Sequence, residues 1–311
     1  MTHVCTPGLL PELNTLKNNR AVFWLMSLPP AAWLVLFFAI PLSLIWLLSF
    51  GEKDGLVDVN ITGTLDNYIR SFEPVYLKIF WKTVWISVLA TGLTLLIAYP
   101  LAYFIAFSSE RLKPWLLMAV ILPFWINLLI RTYALIAVFR TRGYVNFTLE
   151  WFWDLAFLDK LIGPFQPLEL LYNNGAVVVG LVYVYLPFMV LPLYAAIEKL
   201  DRSFLEASVD LGASRWQTFW RVTVPLTMTG IATGCLLVLV LALGTFLTPE
   251  LLGGANAVMI GNVIERQFKA ANDWPFGAAL SFLLMYATFA ALLVRALLAR
   301  RANSESEAPA S

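Results

Sequence analysis

Long apolar stretches alternate with short polar segments along the whole chain. Six of these stretches are uncharged and long enough to cross ~30 Å of hydrocarbon as a helix of ~20 residues. They cover residues 21–50, 83–107, 114–130 with a continuation past Arg131 to 139, 170–197, 222–249 and 274–294. The pattern predicts an all-α, polytopic membrane protein with six transmembrane helices.

The first stretch differs from a signal peptide. It is too long for a signal-peptide core, it lacks a cleavage site of small residues, and it follows a polar segment of about twenty residues. We therefore expect it to stay in the protein as an uncleaved anchor.

Prolines lie in or at the ends of most stretches. Membrane helices tolerate proline where neighbouring groups satisfy the freed backbone, so several spans are expected to be kinked or to begin late. The residues are Pro29, Pro41, Pro100, Pro123, Pro187 and Pro192.

Composition supports a membrane class and excludes several others. The chain is 60% apolar and 13% charged, whereas soluble proteins carry about 25% charged residues. Cys5 and Cys235 are far apart, which gives neither a disulfide framework nor a CxxC metal motif. The one histidine, His3, makes a histidine-based catalytic or zinc site implausible. A net charge of +1 gives no support for nucleic-acid binding, and the sequence has no GxxxxGK[ST] loop for ATP.

The charged loop between the fourth and fifth stretches has a helix, turn and helix pattern. Ser203 and Glu206 have the spacing of a capping box, in which each side chain satisfies a free backbone N–H at a helix start. Ser214 and Gln217 repeat this spacing, and Gly212 between them suits a helix end with positive φ. Glu206 could thus be only a cap, which is compatible with a rigid loop that binds a partner.

This loop also carries more apolar surface than a solvated linker. A patch of this kind is covered by the membrane surface or by a partner protein. The residues are Phe204, Leu205, Trp216, Phe219 and Trp220.

The same loop carries a family motif. Glu206-Ala207-Ser208, followed by Gly212 and then Val224-Pro225-Leu226, resembles the EAA…G loop of ABC-importer permeases, with serine in place of the second alanine. Further segments resemble the spermidine/putrescine ABC-transporter permeases, from about Leu65 to the last span. They are TLDNY (64–68), YPLAY (99–103), LPFW (122–125), LIRTY (129–133), YLPFMVLPLY (185–194), IEKL (197–200), PELLGG (249–254), IGNVI (260–264) and DWPFG (273–277).

The resemblance implies one permease subunit of a type I importer in the bacterial inner membrane. Its expected partners are a second permease subunit, two ATP-binding subunits and a periplasmic substrate-binding protein. ATP and Mg would bind to the partner ATPase, so this chain needs no cofactor and no catalytic residue. The resemblance implies an ATPase-docking loop over residues 199–221 and the following turn. Its candidate residues are Ser203, Glu206, Ala207, Ser208, Gly212, Ala213, Ser214 and Pro225.

The docking loop also sets the expected orientation. Lysine and arginine are divided almost evenly between the two sides, so the positive-inside rule does not decide it. An ATPase exists only in the cytoplasm, which places both termini there. The expected organisation is a cytoplasmic tail over 1–20, a transmembrane domain over 21–300 and a disordered cytoplasmic tail over 301–311. The two long outer segments, 51–81 and 140–169, offer an interfacial helix or a surface for the binding protein.

A polyamine pathway needs carboxylates and aromatic faces, because cation–π contacts are worth ~0.5–2 kcal/mol each. Glu250 is the best candidate acid, although pairing with a neighbour would explain it equally well. Arg131 would repel a polycation and is expected to snorkel or to pair with an acid. The candidate lining aromatics, each of which could instead serve only in packing, are Trp125, Tyr133, Tyr183, Tyr185 and Phe246.

Two alternatives stay open. The same machinery could carry an amino acid or another organic cation. A self-sufficient secondary transporter or channel is a different class, but it would need ionisable residues inside the spans, which are nearly free of charge. The pattern Gly230-Ile-Ala-Thr-Gly234 permits close helix approach, either to a sister permease or within one bundle.

Overall fold

The computed structural model describes residues 20–55, 58–155 and 163–306. The elements are α1 (Arg20–Leu34), a π-helical turn (Val35–Ala39), α2 (Ile40–Leu48), β1 (Glu52–Asp54), β2 (Asp58–Asn60), α3 (Asp66–Ser71), α4 (Pro74–Ala106), α5 (Lys113–Trp125), α6 (Leu128–Phe139), α7 (Tyr144–Leu155), α8 (Asn174–Glu198), α9 (Arg202–Asp210), α10 (Arg215–Thr218), a π-helical turn (Phe219–Thr223), α11 (Val224–Leu226), α12 (Met228–Leu243), α13 (Leu247–Gly253), a 3-10 turn (Gly254–Ala257), α14 (Ile260–Lys269) and α15 (Trp274–Ser306).

The six apolar stretches all recur as helices, but among the residues that the structure describes only four form uninterrupted candidate spans. These four are Trp24–Leu48, Pro74–Ala106, Asn174–Glu198 and Trp274–Leu293. The other two stretches belong to bent helix pairs. One pair is Lys113–Trp125 and Leu128–Leu155, bent by 94°, and the other is Arg215–Leu226 and Met228–Leu243, bent by 67°. The expected number of six spans holds when each bent pair is counted as one span.

The third stretch was expected to continue past Arg131 to residue 139, but it is not one unbroken helix. Ile126 has an extended backbone, and Asn127 caps a new helix by accepting a hydrogen bond from the Leu129 N–H at 2.8 Å. An asparagine N-cap stabilises a helix start, so the chain turns there although both flanks are apolar.

The fifth stretch, 222–249, is also not one straight helix. Thr227 ends α11, and the helix that follows covers only Met228–Leu243. Gly244, Thr245 and Phe246 then separate it from α13. Apolar composition alone does not record such breaks, because both sides of a break are equally apolar.

The core is formed where α4, α8 and α12 pack against one another. Small residues on α4, including the fully buried Ala90, Ala98 and Ala102, let the larger side chains of α8 approach. Gly230 and Gly234 on α12 face Ala196 and Met189 of α8. The small-residue pattern therefore packs within this chain.

The outer segments and the ends differ in part from expectation. Residues 51–60 contain an antiparallel hairpin of β1 and β2, which was not predicted, whereas the second outer segment contains the expected helix, α7. The last helix reaches Ser306, so the tail expected to be disordered from 301 is helical at its start. Residues 295–302 are rich in alanine, leucine and arginine, which favour helix, and the helix continues from there. Residues 1–19, within the expected N-terminal tail, and 307–311 lie outside the described residues.

Candidate functional site

The first helix of the predicted docking loop, α9, is capped by Asp201. The Asp201 carboxylate accepts a hydrogen bond from the Ser203 N–H at 3.0 Å, and this bond holds the pKa of the carboxyl below its usual value. The predicted capping box of Ser203 and Glu206 is therefore wrong. Asp201 has the extended backbone that an N-cap needs, so the helix starts earlier. Ser203 then lies in its first turn, and Ala207 and the exposed Glu206 lie farther along it.

The turn after α9 is a Schellman motif. The Ala213 N–H donates to the Ser208 carbonyl at 3.1 Å, and the Gly212 N–H donates to the Val209 carbonyl at 2.9 Å. Gly212 has a φ of +85°, in the region that glycine adopts without steric cost. The predicted helix end at Gly212 is confirmed.

The second capping box is also confirmed. The Gln217 N–H donates to Ser214 Oγ at 3.3 Å, and the Ser214 N–H donates to Gln217 Oε1 at 2.9 Å. Ser208 has a role that the sequence did not indicate, because its hydroxyl lies 2.9 Å from Thr218 Oγ1. This hydrogen bond joins α9 to α10 and fixes the angle between the two short helices.

The loop carries several apolar side chains that the described part of this chain leaves uncovered. The apolar residues exposed there are Phe204, Val209, Leu211, Trp216 and Trp220. Pro225, in α11, is exposed as well. A pair of short, capped helices with uncovered apolar side chains has the properties of a protein-docking element.

The C-terminal end of the loop is fastened to α4. Phe219 packs edge-on against Tyr99 at 5.4 Å and lies 6.2 Å from Tyr103, measured between ring centroids. Tyr99 Oη lies 2.9 Å from Thr227 Oγ1 in a buried hydrogen bond. The C-terminal end of the loop is thus in direct contact with α4.

Glu250, the candidate pathway acid, lies in the first turn of α13 and is paired. It accepts a hydrogen bond from Asn262 Nδ2 at 2.8 Å and lies 3.3 Å from Arg266 Nη2. Asn262 is buried and also donates to the Phe246 carbonyl at 2.8 Å. Asn262 does not stand out in the sequence, because Phe246 and Glu250 lie twelve or more residues away from it. Its local contact is with Met259, whose N–H donates to Asn262 Oδ1 at 3.1 Å.

The candidate aromatics fall into two groups. Tyr185 is buried and donates to the Leu241 carbonyl at 3.2 Å, so it serves in packing between α8 and α12. The other four are exposed on this chain, most of all Trp125, at the bend after α5, with 80% of its surface accessible. Their positions are Trp125, Tyr133 on α6, Tyr183 on α8 and Phe246 before α13.

Arg131 differs from expectation. It is only 7% exposed, so it does not snorkel to water. No ion pair among the described residues includes it, and no described group accepts a hydrogen bond from its Nε. Its guanidinium instead lies over the ring of Phe124, 6.0 Å from the centroid, because the bend between α5 and α6 folds α6 back toward that ring.

Comparison with known proteins gives the same class of protein each time, a membrane component of a transport system. Residues 98–304 match the family described as binding-protein-dependent transport system inner membrane component. The chain is 44% identical over 275 residues to the spermidine/putrescine transport system permease protein PotB of Escherichia coli K12, covering 88% of this chain and 97% of that protein. It is 32% identical over 300 residues to the inner membrane ABC transporter permease protein YdcU of the same organism, covering 93% and 94% of the two chains.

Solved structures support the same fold. A chain of a bacterial ABC transporter for the import of alginate aligns with a TM-score of 0.66 and 19% identity, covering 94% of this chain and 99% of that one. A second structure of an alginate ABC transporter, in complex with an alginate pentasaccharide-bound periplasmic protein, aligns with a TM-score of 0.66 and 20% identity, covering 93% and 96%. At this identity the likeness shows the fold alone.

Proposed function

We propose, because this chain belongs to the family of binding-protein-dependent transport system inner membrane components, that it is a permease subunit of an ATP-driven polyamine importer. The observation that carries the substrate class is the 44% identity to a spermidine/putrescine permease over 97% of that protein's length. The rigid loop built on Gly212 supports the coupling to an ATPase. Transport proceeds by alternating access, and this subunit forms part of the pathway without catalysing a reaction.

The proposed complex contains a second permease subunit, two ATP-binding subunits and a periplasmic binding protein. Residues 199–221 dock on an ATP-binding subunit through the uncovered apolar side chains of α9 and α10. A solved transporter of the same fold is in complex with a periplasmic protein, which supports a binding protein as the partner on the opposite side. ATP and Mg bind to the partner ATPase.

The orientation follows from this assignment. We propose that both termini and residues 199–221 are cytoplasmic, and that residues 51–81 and Asp273 face outward. Asp273 accepts a hydrogen bond from Arg70 at 2.9 Å, which supports the proposal that 51–81 and the start of α15 lie on the same side. The chain then crosses six times, with each bent helix pair counted as one crossing.

Cysteine labelling tests this orientation. A single cysteine at Asp210, in a variant lacking Cys5 and Cys235, should resist an impermeant maleimide in intact spheroplasts and react after the membrane is opened. The control is Ala271→Cys, on the opposite side, which should react in intact spheroplasts because Ala271 is exposed. Labelling of position 210 in intact spheroplasts would contradict the proposed orientation.

The exposed aromatics and Glu250 are proposed to line a pathway shared with the second permease subunit. A polycation that leaves water needs compensating negative charge, and Glu250 offers it. The Glu250 carboxylate is bound to Arg266 and Asn262 in this structure. A cargo ammonium group therefore has to replace the Arg266 guanidinium as the partner of Glu250. Glu250 is therefore a site of competition between two cations.

Substitution of Glu250 by glutamine tests this role. Glutamine keeps the shape and the hydrogen bond from Asn262 but removes the charge. The apparent KM for spermidine should rise roughly fivefold to tenfold, as expected when a charge-assisted contact worth about 1–1.4 kcal/mol is lost. The effect on putrescine should be smaller, because the shorter cargo places fewer ammonium groups near the site. Radiolabelled uptake into proteoliposomes, with binding protein supplied, measures both.

The control for this experiment is Glu150→Gln, an exposed acid on α7 that should leave both uptakes unchanged. Equal uptake by the Glu250→Gln and unmutated complexes would remove Glu250 from the pathway. If neither polyamine is transported by the unmutated complex, the substrate assignment fails while the permease assignment stands. An amino acid or another organic cation would then be the cargo to test.

A further inference from the structure

Lys113 is a buried lysine with two carboxylate partners. It begins α5, directly after the turn that follows α4, and only 5% of its surface is exposed. Its ammonium donates to Glu110 Oε1 at 2.7 Å and to Glu198 Oε1 at 2.8 Å. A lysine is rarely buried to this degree unless its charge is paired, and here it is paired twice.

The two partners of Lys113 connect it to different parts of the chain. Glu110 belongs to the same turn, three residues earlier, and its side chain is 84% exposed. Glu198 is the last residue of α8, immediately before residues 199–221, and its side chain is 36% exposed. The pair with Glu110 therefore stabilises the turn itself, whereas the pair with Glu198 joins this turn to the N-terminal end of the docking loop.

The charge of Lys113 needs only one of these carboxylates. Glu110 alone would neutralise it, so the contact with Glu198 is not required to keep the lysine in place. What Glu198 adds is a connection between two segments that are 85 residues apart in sequence. The other end of the docking loop is fastened to α4 through Tyr99, Phe219 and Thr227. Both ends of the loop are thus attached to the α4–α5 unit.

We propose that Lys113 and Glu198 are positioning residues for coupling, and that they make the α4–α5 turn move together with the docking loop. With both ends attached, a displacement of α9 and α10 by the ATPase shifts α4 and α5 as well. We call the ion pair between Lys113 and Glu198 the tie. When the tie is removed, the loop keeps only its attachment to α4, and part of the movement of α5 with the loop is lost. This inference rests on the proposed docking of residues 199–221 on an ATPase.

The two carboxylates supply a matched pair of variants. Glu198→Gln removes the ion pair and leaves at most a hydrogen bond to a neutral amide, while Lys113 stays paired with Glu110, so the protein should insert and assemble normally. Glu110→Gln removes a carboxylate from the same lysine at nearly the same distance but leaves the tie intact. In proteoliposomes containing the whole complex, the transport per ATP hydrolysed should fall about fivefold in Glu198→Gln, the lower end of typical coupling between sites. The ratio should stay unchanged in Glu110→Gln.

An exchange of charges checks that the contact itself matters. In a Glu110→Gln background, Lys113→Glu should lower the ratio of transport to hydrolysis, and adding Glu198→Lys should restore most of it. Equal ratios in Glu198→Gln, Glu110→Gln and the unmutated complex would overturn the proposal. An equal fall of this ratio in Glu198→Gln and Glu110→Gln would also overturn the proposal, because the effect would then come from the turn that contains Glu110 and not from the tie. If Glu198→Gln fails to assemble, the variant with Glu110→Gln, Lys113→Glu and Glu198→Lys decides the question. Recovery of assembly in that variant supports the tie, and failure to recover overturns it.

A spectroscopic measurement separates the tie from the transport assignment. Spin labels can be placed at Ser109 and Ser203, which are both exposed, in the full chain without Cys5 and Cys235, reconstituted in nanodiscs. The distance distribution between them should broaden in Glu198→Gln and stay narrow in Glu110→Gln, whatever the cargo is. An unchanged distribution in both overturns the tie, whereas broadening without any polyamine uptake by the unmutated complex overturns only the proposed substrate.

Discussion

Replacement of Gly212 by valine should abolish transport while leaving the protein inserted in the membrane. Gly212 has a φ of +85°, and a β-branched residue is strongly disfavoured there. A Cβ added at this position meets no atom within 4 Å, so the effect is one of backbone conformation and not of steric clash. The turn would open, and the hydrogen bonds from Gly212 and Ala213 to α9 would be lost. The exposed apolar side chains of α9 and α10 would then no longer keep their relative positions.

Two measurements test this expectation. Uptake by the reconstituted complex should fall to background, and the ATPase should co-purify poorly with the permease. The matched control is Gly212→Asn, because asparagine adopts positive φ more readily than valine and should keep most of the activity. Normal uptake by Gly212→Val would exclude this turn from docking. An equal loss of uptake in Gly212→Val and Gly212→Asn would show that any side chain at this position causes the loss, and not the positive φ of the backbone.

The features predicted correctly from the sequence are those with local causes. The apolar stretches follow from the hydrocarbon thickness, and the Gly212 helix end and the Ser214–Gln217 box follow from spacings of a few residues. The cap of α9 shows the limit of local inference. Asp201 and Ser203 are both good N-cap residues, and the choice between them depends on the backbone after α8, which the local sequence does not specify.

The features that were missed depend on contacts between distant segments. The hydrogen bonds from Asn262 to Phe246 and Glu250, and the ion pair of Lys113 with Glu198, form only after the helices have packed. The bend at Asn127 had a local signal, an N-cap residue inside an apolar run, but apolar composition on both sides concealed it. Likewise, composition cannot distinguish Tyr185, which is buried, from Tyr183, which is exposed two residues earlier, since the difference lies in the helix side that each occupies.

Substitution of Gly230 by leucine should disrupt the packing of α12 on α8. A Cβ at this position would lie 2.4 Å from the Ala196 Cβ and 2.8 Å from the Pro192 carbonyl oxygen. One of these atoms is backbone and the other is attached directly to it, so no side-chain rotation relieves the overlap and the two helices must separate. Leucine is a better helix former than glycine, which means that any loss of stability comes from packing. Overpacking costs about 1–3 kcal/mol or more, so the melting temperature should fall by roughly 5–10 °C.

Thermal unfolding of the purified protein in detergent measures this loss, and Gly92→Leu is the matched control. Gly92 is on α4, and a Cβ there meets nothing within 4 Å, so the same substitution should leave the melting temperature unchanged or raise it. Because α12 follows Thr227 directly, a displaced α12 should also disturb the bond between Thr227 and Tyr99 and reduce transport per ATP hydrolysed. If Gly230→Leu is as stable as the unmutated chain but no longer binds the second permease subunit, then the small-residue side of α12 faces that subunit and not α8.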